Sequence, residues 1–320
     1  MKIKILFFKY IFNKIYKKIN LYFILKIINI LIFILFLYKI KNKESLNIAL
    51  CLVAKEENNY IMEFVKYYKN IGINKIFLYD NNNIYGETFD FILYKYIKKN
   101  FIQVINFRGL KRPQLKAYTD CYENNKNKFD WIAFYDADEY LSILNHRKLQ
   151  SFLKMPRFKN CSSLLNWKYY GDNNNLFYEK KQLKERFTKP FVFSNKTIYD
   201  KYLYGAGKSI VRGNLNIKWA HFPHFLNDSN ICRPNGEIVK DPLSPPQYSI
   251  AHIKHYATKS TEEYCNKLKK GNAYSNNSIK NYIIERIKNY YFFLNKITAK
   301  KIKLFEKNLN LTLNIEGNVI

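Results

Sequence analysis

Between residues 46 and 141 the apolar positions alternate between two spacings. Short aliphatic runs closed by polar clusters read as buried strands: LNIALCLVAKEEN (46–58), KIFLYDNNN (75–83), FIQVINF (101–107) and WIAFYDADEYL (131–141). Between them lie stretches with helical spacing. YIMEFVKYYKNIG (60–72) puts Ile61, Phe64, Val65 and Tyr68 on one face, and Gly72 suits a helix C-terminus. FDFILYKYIKKN (89–100) reads as a helix with a basic last turn, and residues 112–126 as a helix with Pro113 in its first turn. Strand and helix in alternation predict an α/β domain with a mostly parallel sheet, whose ligand edge lies at the carboxyl ends of the strands. Polar sets fall at those ends: Lys55-Glu56-Glu57-Asn58, Asp80-Asn81-Asn82-Asn83, and three carboxylates at Asp136, Asp138 and Glu139.

The second half is less regular. Residues 162–171 predict a strand, KSIVRG and KWAHFPHF short β segments, and residues 241–248 a Pro-rich surface loop. HIKHYATKSTEEYCNKLKKG (252–271) begins as strand and becomes a helix capped at Thr258 or Ser260. Residues 279–310 read as a helical tail. This gives three regions: 1–45, 46–275 and 276–320.

The first region is a hydrophobic helix. Residues 21–38 are apolar apart from Lys26 and Asn29, which approaches the roughly 20 residues needed to span a bilayer. Six lysines precede the run, and no small-residue cleavage site follows it. A single-pass anchor with a cytoplasmic N-terminus is expected, with peripheral association on the cytoplasmic face as the alternative.

Composition changes the picture little. The 54 Lys and Arg against 25 Asp and Glu give a net charge of +29. The basic residues are spread along the chain rather than blocked, and no nucleic-acid-binding module accompanies them, so no nucleic-acid partner is expected. Five widely spaced cysteines show no zinc spacing and no disulfide framework.

The carboxylate cluster carries the chemistry. In an extended chain Asp136 and Asp138 point the same way, with Ala137 opposite. Two adjacent carboxylates raise each other's pKa unless a cation lies between them, and an oxygen-only set suits Mg²⁺ or Mn²⁺. His255 could extend such a site.

Taken in order, LVAKEENNYIMEFVKYY, IFLYDNNN, Gln114, WIAFYDADEYL, HYATKS and Lys270-Gly271 resemble the glycosyltransferases of the family 92 and family-2-like group, over about residues 47–271. The resemblance implies a GT-A (Rossmann-like) fold, a metal-dependent transfer from a nucleotide sugar (UDP-sugars foremost) to a glycan or other hydroxyl acceptor, and inversion. It implies donor contacts at Lys55, Glu57, Asp80, Asn81, Gln114, Asp136 and Lys259. Asp136, Asp138 and His255 would hold the metal. Glu139, Trp167 and Gly171 would lie on the acceptor side, the last two in a Trp-x-x-Tyr-Gly run. A catalytic base would be Glu185, in a Glu-Arg-Phe element, or Asp228; both stay open. Phe64 and Tyr68 depart from the family's usual Trp and His, and Glu56 from its Asn. Two other classes fit less of the pattern: a basic nucleic-acid-binding protein, and an inactive carbohydrate-binding relative, which would not need to keep both aspartates.

Overall fold

In a computed structural model of the chain, the described residues are 10, 11, 14, 16, 21–36, 45–144, 148–193, 205–215, 231–240, 245–270 and 279–312. They fall in two compact units, Met1–Leu46 and Asn47–Ile320. In the first, residues 21–36 are helical with exposed side chains. Among the described residues no helix is long and apolar enough to cross a membrane; Leu37 and Tyr38, the end of the predicted run, lie outside them.

The second unit is built on one sheet. Its first half follows the predicted alternation: β1 (Ile48–Ala54), α1 (Ile61–Ile71), β2 (Lys75–Asp80), α2 (Asp90–Lys98), β3 (Ile102–Asn106), α3 (Pro113–Asn125) and β4 (Trp131–Phe134). α1 buries the four predicted residues and ends at Gly72, whose φ of 109° is open to glycine at little cost. Strands β3-β2-β1-β4 are parallel; β1, β2 and β4 are aliphatic and aromatic runs buried on both faces, while the edge strand β3 keeps Gln103 and Asn106 exposed.

Beyond β4 the sheet is mixed rather than mostly parallel. WIAFYDADEYL forms two strands, with β5 (Glu139–Ile143) following a turn. Next come α4 (Leu149–Leu153), β6 (Ser162–Tyr169), α5 (Leu183–Arg186), β7 (Gly207–Arg212), β8 (Ile231–Cys232), β9 (Ala251–His255) and α6 (Thr261–Lys269). The strand order is β3-β2-β1-β4-β7-β6-β9-β5, with β8 also on β6. β7 is antiparallel to β4 and β6, and β5 to β9, while β6 runs parallel to β8 and β9. Among the described residues of this second half, the regular helical crossovers that keep successive strands parallel are not seen. The predicted segment KWAHFPHF lies outside the described residues, with His221 and His224.

α6 is capped as predicted, at Ser260: its hydroxyl accepts from Glu263 N, and the Glu263 carboxylate accepts from Ser260 N. α7 (Ile279–Arg286) runs through a π-helical turn at Ile287–Tyr291 and a last turn at Phe292–Leu294, and α8 (Ala299–Leu309) follows. This tail belongs to the same unit. Buried Lys301 on α8 pairs with buried Asp172 at 2.6 Å, and a Cβ on Gly171 would meet Leu294 O at 3.0 Å.

The cysteines correct the expectation drawn from their spacing. Cys51 is bonded to Cys121 and Cys161 to Cys232, leaving Cys265 free and buried. Each pair spans about 70 residues of chain, a separation that only the sheet brings together, so spacing carried no sign of it.

Candidate active site

The site is built at the carboxyl end of β4, where the chain does not stay extended. Glu139 N donates to Asp136 O at 3.0 Å, so Asp136-Ala137-Asp138 forms a turn and the two aspartates part. Each carboxylate then meets a different ammonium. Asp136 Oδ2 lies 2.9 Å from Lys208 Nζ, and its Oδ1 accepts from Tyr118 OH at 3.0 Å and Gln114 Nε2 at 3.2 Å. Asp138 Oδ2 accepts from Lys267 Nζ at 2.8 Å. Burial opposes ionisation of Asp138, but Lys267, His255 and Lys259 outweigh it and hold its carboxyl well below the usual range.

Glu139, expected toward an acceptor, is fully buried inside this turn. Its Oε2 accepts from Asp136 N at 2.9 Å and lies 3.6 Å from Lys208 Nζ. Burial pushes its carboxyl well up, only partly countered by Lys208 and reinforced by Asp136 and Asp138. Tyr68 of α1 fixes the start of β5: its hydroxyl donates to Glu139 O at 2.8 Å and accepts from Leu141 N at 3.1 Å. Tyr68 therefore does structural work at a position where the resembled family has His.

His255 reaches the cluster through register. β9 sets it opposite Glu139, and β6 sets Tyr169 beside it. The ring packs against Trp167 and Tyr169, centroids 4.8 and 5.1 Å away. Its Nε2 faces Asp138 Oδ1 at 3.6 Å and Glu139 Oε1 at 4.0 Å. Burial lowers its pKa to about 4, against the pull of Asp138, so the imidazole is neutral at pH 7.

A second charged group stands at the end of β1. Glu57 lies 3.5 Å from Lys259 Nζ and 3.2 Å from Lys270 Nζ. Lys270 also donates to Lys55 O and Glu56 O, and Lys55 Nζ returns a bond to Lys270 O. This exchange ties the end of β1 to the end of α6. Lys259 lies over the Tyr60 ring, 3.6 Å from its centroid.

At the end of β2, Asp80 pairs with Arg108 at 2.7 Å. The same guanidinium donates to the carbonyls of Asn83, Ile84, Gly86 and Glu87, and Asn81 Nδ2 donates to Phe107 O and Leu110 O. Asp80 and Asn81 thus fasten the loops after β2 and β3. In the Glu-Arg-Phe element, Glu185 is exposed on α5, whereas Arg186 points inward and pairs bidentately with Glu263. Asp228 lies outside the described residues. Gly171 is buried, packed against Leu294 and Asn295.

The cluster thus unites Gln114, Asp136, Asp138, Glu139, Trp167 and His255, while Lys55, Glu57, Lys259 and Lys270 form the neighbouring group. Lys208, Lys267 and Arg108 were not singled out from sequence, and Arg186 only as the middle of the Glu-Arg-Phe element. A lysine beside Gly207 at the head of an apolar run was the sole signal for Lys208, and it is faint in a chain with 54 basic residues.

The sequence model of glycosyltransferase family 92 matches residues 47–312. A family 92 protein of Ricinus communis is 21% identical over 115 residues, 36% of this chain and 20% of that one. One of Oryza sativa subsp. japonica is 20% identical over 112 residues, 35% and 19% of the two chains. The matched segments therefore span about a fifth of those relatives. Among solved structures, S. aureus TarS 1–349 aligns with a TM-score of 0.39 at 12% identity, covering 82% of this chain and 79% of that one. With the family match running through both halves of the sheet and into α8, this chain belongs to glycosyltransferase family 92.

Proposed function

We propose that the chain transfers a sugar from a nucleotide-sugar donor, a UDP-sugar foremost, to a glycan or other hydroxyl acceptor with the help of a divalent metal. One observation carries this reading: the imidazole Nε2 of His255 and the carboxylate Oδ1 of Asp138 face each other 3.6 Å apart at the strand ends.

Two donors each about 2.1 Å from one octahedral ion lie roughly 3–4 Å apart, so this gap fits a shared Mg²⁺ or Mn²⁺. Glu139 Oε1, buried without a hydrogen-bond partner, faces the same gap. Among the described residues no group of three His, Cys, Asp or Glu could hold a metal alone. That suits an ion bound by one or two protein ligands and completed by substrate phosphates. Asp136, engaged by Lys208, Tyr118 and Gln114, is better suited to orienting the donor than to ligating the ion.

When bound, the ion neutralises charge growing on the leaving diphosphate. Lys259 and Lys270, held by Glu57 in the free protein, supply further positive charge there. The acceptor oxygen attacks the anomeric carbon as the bond from that carbon to phosphate oxygen breaks. The electron pair leaves with the nucleoside diphosphate, the configuration inverts, and the acceptor proton passes to a carboxylate, Glu185 or Asp228. The apolar, lysine-flanked residues 21–38 support a single-pass anchor with the N-terminus cytoplasmic.

Thermal shift with UDP tests the reading. UDP with Mn²⁺ should stabilise the protein more than either alone, and Asp138→Ala or His255→Ala should remove that synergy. Synergy that survives both substitutions refutes the metal assignment; no response to any nucleotide or nucleotide sugar refutes the transferase reading.

A further inference from the structure

In the second unit, exposed large apolar side chains are densest between residues 84 and 115, at Ile84, Tyr85, Phe91, Tyr94, Leu110 and Leu115, with Leu144, Phe177, Tyr178, Val192 and Ile238 exposed singly or in pairs elsewhere. Helix α2 shows the pattern best. Its inward face is Phe89, the residue before its first turn, and Leu93, both fully buried. Phe91, Tyr94, Lys95 and Lys98 follow at helical spacing on the opposite side, and all four are exposed. Phe91 is 93% exposed and Tyr94 59%. Asp90 lies on the helix flank, about a quarter turn from this stripe.

The loop preceding α2 extends the feature. Tyr85 is 100% exposed at its tip. The tip is rigid in outline, because Arg108 binds four of its carbonyls, and Ile84 lies 3.3 Å from where a Cβ on Gly109 would stand. Leu110 and the exposed Lys111 and Arg112 come next along the chain. β3, which follows α2, is the edge of the sheet, and among the described residues no further strand pairs with it.

We propose that the stripe on α2, with the loop tip at Tyr85, docks on the surface of an anionic membrane. Tyr and Phe beside Lys is the composition of the water–lipid interface, where rings enter the headgroup layer and ammonium groups stay at its surface. Charge selects this occupant. The stripe offers Lys95 and Lys98 to lipid phosphates, whereas a second copy of a chain with net charge +29 would bring the same lysines against them. Such docking holds the loops that follow β2 and β3, which border the candidate site, at the membrane surface. It does not depend on the glycosyltransferase reading.

The test uses the full chain bearing Phe91→Trp, a substitution at an exposed position that spares the core. Because residues 1–46 also carry an apolar segment, the readout is local: quenching of the introduced indole by brominated acyl chains. Vesicles of phosphatidylcholine alone are compared with vesicles that also contain phosphatidylglycerol. Quenching should appear in the anionic vesicles, weaken with added salt, and fall about tenfold or more in docked-to-undocked ratio when Lys95→Glu and Lys98→Glu are added. An indole unquenched in both vesicles overturns the proposal. So does an emission shift that follows protein concentration without lipid, which assigns the stripe to a protein contact. Quenching that ignores both lipid charge and the lysine substitutions removes the electrostatic part and overturns it as stated.

Discussion

Lys208 Nζ, with no exposed surface, lies 2.9 Å from Asp136 Oδ2 and 3.6 Å from Glu139 Oε2. One buried ammonium therefore faces two of the three acidic side chains in the Asp-Ala-Asp-Glu turn. Lys267 balances the third. Removing Lys208 takes the ammonium from a part-exposed Asp136 and a buried Glu139, and leaving such groups without their partner costs about 1–3 kcal/mol. Lys208→Met should lower unfolding stability by that order in urea denaturation, and adding Glu139→Gln should recover part of the loss. Equal stability of wild type and Lys208→Met would show that the ammonium is dispensable.

Gly207, the residue before Lys208, is required by close approach: a Cβ there would lie 2.2 Å from Leu165 O on the neighbouring strand. Gly207→Ala must separate β7 from β6 and shift Lys208 with it. A loss of about 1–3 kcal/mol is expected from overpacking, together with weaker nucleotide binding. Calorimetry of the variant with and without UDP checks both.

Arg186 and Glu263 form a bidentate pair, nearly free of solvent, that also receives the Ser260 and Tyr60 hydroxyls. Arg186→Met should destabilise the protein by about 3–5 kcal/mol, as loss of one partner of a buried pair does. Arg186→Lys should restore little, because an ammonium cannot reproduce the planar fork. Full rescue by lysine, measured by denaturant midpoint, would show that charge alone suffices.

His252 sets a pH dependence. Burial lowers its pKa to about 4, with Lys168 and Lys254 adding to the effect and Tyr248 O opposing it. The unfolded imidazole titrates near 6.5. Between these values the unfolded chain binds more protons, so this contribution is whole above pH 6.5 and is lost as pH falls toward 4. Its full size is about 3 kcal/mol. His255 acts in the same direction. His252→Gln should therefore flatten, without abolishing, the fall in stability between pH 6.5 and 4. An unchanged slope would mean that His252 is accessible to protons in the folded state.

The alternation from β1 to β4 was legible because each element carries its own period: a continuous apolar run for a strand buried on both faces, and a 3.6-residue stripe on α1. The cap at Ser260 and the stop at Gly72 were legible for the same reason, since caps act over a few residues. The Asp-Ala-Asp-Glu run marked where the chemistry would be. What the sequence by itself determined was thus local and periodic.

Tertiary structure decided the partners. The turn at Asp136–Glu139 ends β4, a choice made by the separate pairing of β4 with β1 and β7 and of β5 with β9. Lys208 comes from 72 residues beyond Asp136, and Lys267 from 129 beyond Asp138. Cys51 and Cys121 meet across 70 residues. Charge attraction and thiol pairing depend on distance in space and leave no period along the chain. Among 54 basic residues, only the register of β7 and β9 and the placement of α6 decided which ammonium would face which carboxylate.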